Sequence, residues 1–228
     1  MSKDYYNRFG IILGNPLFHL YLKWAYNQGL KDVESLGLHP DFNKERFSCL
    51  LSGCGNEQTA DAFIQFVTRK NKQAKIYIID LGNKQIKAIR KLVALKYKYL
   101  NIKVHQINAL DLKKMIKPLS LDWIETDGFM EYFDRQSLEK LLGIWHLLLK
   151  QDGFITTRDC VTEGKLTQIA DFLRVSIAKQ WLGIKLFPHT KQDFEKLFLD
   201  IGFKHFIDDT WLYTYRRFAL VKKISDKM

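Results

Sequence analysis

The sequence predicts an α/β protein: a three-layer, doubly wound sheet of seven strands, mostly parallel with an antiparallel C-terminal strand, behind a helical N-terminal cap. Three observations predict it. From Phe47 onward, short apolar runs alternate with helical periods, the pattern of βαβ units in a parallel sheet. The first of these runs ends in Ser52-Gly53-Cys54-Gly55, where two residues without Cβ let backbone approach a ligand closely. At the far end, 203–207 and 211–221 read as two strands with no helix between them, so they can pair only antiparallel.

The length of 228 residues, 46% of them hydrophobic, suits one substantial core with a modest appendage. A boundary near His39-Pro40 divides a helical cap, residues 1–46, from a domain spanning 47–228. Within the cap, 15–30 is apolar on nearly every face, as expected of a covered helix. Its aromatic residues, with Tyr5, Tyr6 and Phe9 before them, either fill a core or close over a pocket.

Strands are expected at 47–51, 75–79 and 103–107, from Trp123, and at 154–157. Helices are expected at 59–67, at 84–100, at 137–149 with Ser137 as cap, and twice within 161–200. The last of these starts at Thr190 and ends at Gly202, a suitable left-handed cap. Gln151-Asp152-Gly153 reads as a turn before the fifth strand.

Several function classes are disfavoured. No stretch approaches the roughly 20 apolar residues of a membrane-spanning helix, and no cleavage-site pattern follows the N-terminus, so a cytoplasmic protein without a membrane role is expected. Cys49, Cys54 and Cys160 lack metal-ligand spacing, so no metal site is expected and each reads as a small buried hydrophobe. The net charge of +11 is concentrated: the span opening on Lys84 and closing on Lys117 holds ten Lys/Arg and one Asp. It reads as a solvated face, or as a dock for RNA or an acidic protein.

Ligands of an open parallel sheet bind at the carboxyl ends of the strands, where the winding reverses. After strand one lie Ser52, Gly53, Cys54 and Gly55. After strand two lie Asp80 and Leu81, 25 residues beyond Gly55, where a carboxylate can accept from both hydroxyls of a ribose. After strand three, Asn108-Ala109 could meet a base edge; after strand four, Thr126-Asp127-Gly128 sits where a ligand's reactive end would meet a second substrate. Taken singly, the glycine pair is also a plain tight turn and Asp80 a helix cap. A dinucleotide loop would demand glycine at position 58, which is Gln58, and no Walker loop is present, so an adenosyl compound without pyrophosphate is favoured.

The run Leu-Leu-Ser-Gly-Cys-Gly-Asn, the Ile-Ile-Asp-Leu around Asp80, Asn108-Ala109, the Leu-Lys-Gln-Asp-Gly-Phe ending at Phe154 and Ile201-Gly202-Phe203 stand in a telling order. That order, over 47–223, resembles the class I S-adenosylmethionine-dependent methyltransferase family. The resemblance implies an enzyme that uses S-adenosyl-L-methionine, releases S-adenosyl-L-homocysteine and transfers the methyl group by in-line displacement. Three positions depart from the pattern: Leu51 replaces an acid, Glu57 a glycine, and Asn108 an acid. Glu57 or Asp127 is expected to supply the charge facing the cofactor's ammonium. For the base, His189 and Asp127 lead, with Asp159 and Tyr132 behind them. The expected acceptor is an O or N atom of a small molecule, free or carrier-borne; the alternatives are RNA, or a non-catalytic subunit that binds adenosyl ligands.

Overall fold

The computed structural model describes Tyr6 and residues 15–223. Tyr5 and Phe9, two of the aromatic residues considered for the cap, lie outside the described residues.

Seven strands form one sheet: β1 (Ser48–Ser52), β2 (Lys75–Asp80), β3 (Ile102–Gln106), β4 (Leu121–Asp127), β5 (Leu149–Cys160), β6 (Phe203–Asp209) and β7 (Tyr215–Lys222). Their order is β3-β2-β1-β4-β5-β7-β6. β1 to β5 run parallel, while β7 is antiparallel to both β5 and β6. The winding reverses between β1 and β4, and a crevice opens there at the strands' carboxyl ends.

Six α-helices are described: α1 (Pro16–Ser35), α2 (Glu57–Lys70), α3 (Asn83–Lys96), α4 (Arg135–Leu148), α5 (Gly164–Ile177) and α6 (Lys191–Ile201). Because successive strand residues point to opposite faces, each strand feeds two cores. On one face Cys49, Leu51, Ile76, Ile78, Trp123 and Phe154 pack under α1, α2 and α3. On the other, Leu50, Tyr77, Ile79, Ile124 and Ile155 pack under α4 and α6. Trp123 is fully buried and meets the rings of Tyr26, Phe42, Phe63, Phe66 and Phe154, so truncating it would cost about 3–5 kcal/mol.

α1 shares this first core through Leu22, Tyr26 and Val33 and lies across β5 and β7 and against α2. A Cβ on Gly29 would fall 3.0 Å from Thr156 Cγ2, so the helix rests almost directly on the sheet.

The structure corrects three local expectations. α4 is capped by Asp134, whose Oδ1 accepts from Ser137 N at 2.8 Å, because a carboxylate at that position reaches the free N–H three residues on. No turn separates the start of β5 from its end. Pairing passes from Leu121↔Leu149 to Trp123↔Phe154, and Lys150 to Asp152 bulge out, with Gly153 allowing close passage beside Leu121 O. α3 ends at Lys96, short of Leu100, where both Lys96 and the Tyr97 hydroxyl turn to Asp61. The expected left-handed cap at Gly202 is present, with φ +99°.

Candidate active site

The crevice at the winding reversal is a cavity of about 540 Å³. Its floor is the strand ends: Gly53 and Gly55 after β1, Asp80 and Leu81 after β2, Asn108 and Ala109 after β3, and Thr126, Asp127 and Gly128 after β4. Phe18, Tyr21, Leu22 and Tyr26 of α1 form one wall, while Leu212 and Tyr215 close the side toward β7. Trp211 stacks on Trp24 with ring centroids 4.6 Å apart, which clasps the β6–β7 loop to α1.

At the glycine loop, Gly53 adopts φ +72°, and a Cβ there would lie 2.2 Å from the Phe129 ring. Only glycine satisfies both conditions. The neighbouring Ser52, Cys54 and Glu57 do not line the cavity. Ser52 contributes its carbonyl to Thr126 Oγ1 at 2.7 Å, which ties β1 to β4. The buried Cys54 thiol turns to Asn56 O, and Asn56 caps α2. Glu57 begins that helix and accepts from the Tyr6 hydroxyl at 2.5 Å.

Asp80 holds the position from which a diol could be gripped. Its Oδ1 accepts from Gly82 N at 2.6 Å, and burial raises the carboxyl to about 6. Asn108 spends Oδ1 on Leu110 N at 3.0 Å, capping the 3-10 turn Ala109–Lys114.

A charged cluster that sequence reasoning missed lies beneath α1. Arg158 of β5 is 1% exposed. Its Nη1 lies 2.5 Å from Glu125 Oε1 and its Nη2 3.0 Å from Asp127 Oδ2, while the guanidinium covers the Tyr26 ring at 5.6 Å. Burial pushes the Glu125 carboxyl up to about 7 against the pull of Arg158, and raises Asp127 in the same sense. The alternation of Glu125 and Asp127 along β4 was the available signal: residues two apart on a strand share a face, and two carboxylates on a buried face demand a cation.

Among the expected bases, Asp127 reaches the cavity and His189 does not. The ring of His189 is buried against Phe194, with centroids 5.3 Å apart. Its Nε2 lies 2.8 Å from Phe133 O and donates to that carbonyl, and burial lowers its pKa, so it packs the back of the wall as a neutral group. Asp159 is buried and accepts from Phe129 N at 2.9 Å and Met130 N at 2.6 Å, so it fixes the loop that carries Phe129; burial lifts its carboxyl to about 7. Tyr132 lies on the wall.

No family model matches this sequence, and no curated protein does. Solved structures match it by shape. The magnesium protoporphyrin IX methyltransferase ChlM of Synechocystis PCC 6803, solved with bound SAH, is similar over 96% of this chain and 94% of its own, with TM-score 0.61 and 12% identity. The fold is that of the class I methyltransferases. An O-methyltransferase family protein of Burkholderia thailandensis aligns over 90% of this chain and 58% of its own, with TM-score 0.63 and 15% identity. The DszA carbon methyltransferase aligns over 93% of this chain and 56% of its own, with TM-score 0.65 and 12% identity. The chain thus spans little more than half the length of these last two. The methyltransferase fold places the glycine loop, Asp80 and Asp127 around one crevice, as the order of the motifs implied.

Among the described residues no helix is long and apolar enough to cross a membrane, and no group of metal-ligating side chains is found.

Proposed function

We propose that this chain is an S-adenosylmethionine-dependent methyltransferase acting on an O or N atom of a small-molecule acceptor. The observation that carries the reading is Asp80: a desolvated carboxylate at the end of β2, beside the Gly53 loop and held by few donors. A ribose diol supplies two hydroxyl donors, which the carboxylate needs more than water-exposed acids do. Ile79, Leu81, Ile107 and Ala109 give an apolar slot for a base, and Asp127, after β4, lies toward the end where a sulfonium would meet the acceptor.

The cofactor, when bound, supplies an electrophilic methyl carbon on sulfur. The residues of the chain then hold and orient. The α1 wall and the Trp211 clasp exclude water, and the Gly53 backbone and Asp80 fix one partner. Asp127 accepts the proton that an acceptor hydroxyl or ammonium loses as its lone pair forms the bond to carbon. Burial raises Asp127 as a proton acceptor, while Arg158 opposes that rise and aims the carboxylate.

Isothermal titration with S-adenosylhomocysteine tests the reading. Micromolar binding that weakens in Asp80→Asn is expected; no binding to the unaltered chain would refute it. A second role for the basic span rests on Lys84, Lys87, Arg90 and Lys91, exposed on α3 away from the cavity. An acidic carrier protein docking there would show affinity that falls steeply with salt, with little affinity for RNA.

A further inference from the structure

The charge on the cavity wall is opposite to the charge of the chain. The chain carries +11, yet among the described residues the charged groups lining the cavity are Asp80, Glu125, Asp127 and Glu131 against one cation, Arg158. Glu131 is answered by Arg174, which does not line the cavity. That leaves three carboxylates and one guanidinium facing the ligand space. That guanidinium is already committed: Arg158 meets Glu125 on one side and Asp127 on the other. An acceptor bearing carboxylate or phosphate would have to displace one of them.

Asp127 differs from Glu125 in access. Its side chain is 18% exposed and that of Glu125 is 0%. Both hydrogen bonds from Arg158 go to Oδ2, so Oδ1 has no hydrogen bond among the described residues. Phe18 and Tyr21 of α1 and Tyr132 line the same cavity. A carboxylate oxygen in a space walled by aromatic rings attracts a cation and its N–H groups, because both the charge and the ring quadrupoles favour them.

We propose that the acceptor is an amine, held as an ammonium by Asp127 Oδ1 within this aromatic wall and methylated on nitrogen. The inference rests on the methyltransferase reading of the same cavity and narrows its acceptor to one class. The step balances: the ammonium gives one proton to Asp127, the freed lone pair forms the N–CH3 bond, and the C–S bond electrons remain on sulfur as the thioether.

The test uses the whole chain in two stages. S-adenosylhomocysteine is titrated first; absence of binding overturns the cofactor reading and this inference with it. The protein saturated with S-adenosylhomocysteine is then titrated at pH 8 with matched amines, alcohols and carboxylates on propyl, phenylethyl and indolylethyl bodies. On at least one body, the amine is expected to bind 10-fold or more tightly than its alcohol, with no binding of the carboxylate. Asp127→Asn, with S-adenosylhomocysteine again at saturation, is expected to bring the amine-to-alcohol affinity ratio close to one. Equal affinity for amine and alcohol, preference for the carboxylate, or no binding of any amine overturns the inference alone, since the cofactor stage has already been passed.

Discussion

Asp80→Asn separates what the carboxylate costs the fold from what it contributes to the site. Burial raises Asp80 from 3.8 to about 6 in the folded protein. A tenfold change in proton affinity corresponds to about 1.4 kcal/mol, so the ionised group destabilises the fold by about 3 kcal/mol above that pH. The sign follows from proton counts. Between pH 4 and 6 the folded protein keeps a proton that the unfolded chain has lost, so this contribution is favourable at low pH and is lost as pH rises through about 6. Asparagine carries no charge and retains an acceptor for the Gly82 N–H. The free variant is therefore expected to be more stable than the unaltered chain at pH 8, by up to ~3 kcal/mol, and equal to it near pH 4.

Binding moves the other way. A hydrogen bond to a charged acceptor contributes ~1.5–3 kcal/mol, so S-adenosylhomocysteine should bind the variant about 10- to 100-fold more weakly at pH 8. In the unaltered chain, affinity should fall as pH drops below 6, and in the variant that dependence should vanish. Urea melts at the two pH values and calorimetry across the range read both effects. A variant no more stable at pH 8, or one that binds as tightly, would refute the reasoning.

Arg158→Leu leaves Glu125 and Asp127 buried without a cation and should cost about 3–5 kcal/mol at pH 8. The loss should shrink at pH 5, where Glu125 takes up a proton, and equal losses by urea melting at both pH values would contradict the assignment. Gly53→Ala sets a Cβ against Phe129 and a side chain at positive φ, costing ~1–2 kcal/mol for the backbone alone. Adding Phe129→Leu should therefore restore only part of the melting temperature; full restoration would show that φ does not matter there. Trp211→Ala removes the stack on Trp24, worth ~0.5–1.5 kcal/mol, and hydrogen exchange should quicken in the first two turns of α1. Unchanged exchange there would mean the clasp does not hold the wall.

The parallel core was legible because its strands are continuous apolar runs and its helices periodic. The terminal antiparallel pair was legible because no helix fits between 207 and 211. Each strand-end motif follows from topology alone, so Gly53, Asp80, Asn108 and Asp127 could be placed around one crevice. What failed was everything decided by side-chain direction across elements. His189 was judged by its loop, yet its ring turns toward Phe194 and away from the cavity. Ser137 has the chemistry of a cap, but the Asp134 carboxylate accepts from the N–H of Ser137 itself, which places Ser137 inside the first turn. Arg158 is followed in its strand by Asp159, which points to the opposite face, and the register with β4, which pairs it with Asp127, shows why a guanidinium is tolerated there.

The same register explains why α1 is part of the site. Gly29 lets α1 rest on Thr156, and Thr156 Oγ1 donates to Glu125 while accepting from Trp123 Nε1 at 2.6 Å. One turn earlier Tyr26 covers Arg158. The C-terminal part of the helix is pinned by charge, since Arg217 Nε donates to Asp32 Oδ2 at 2.6 Å and a second arm of Arg217 meets Asp208. Among the described residues the N-terminal part is held by apolar packing, through Trp24 and Tyr21 against Trp211 and through the buried Leu22. Lifting that part would hydrate Glu125, Asp127 and Arg158 and so relieve their desolvation, whereas lifting the other would break a buried ion pair. The charged cluster that faces the ligand is therefore also the one whose hydration would offset the cost of lifting the N-terminal part of α1.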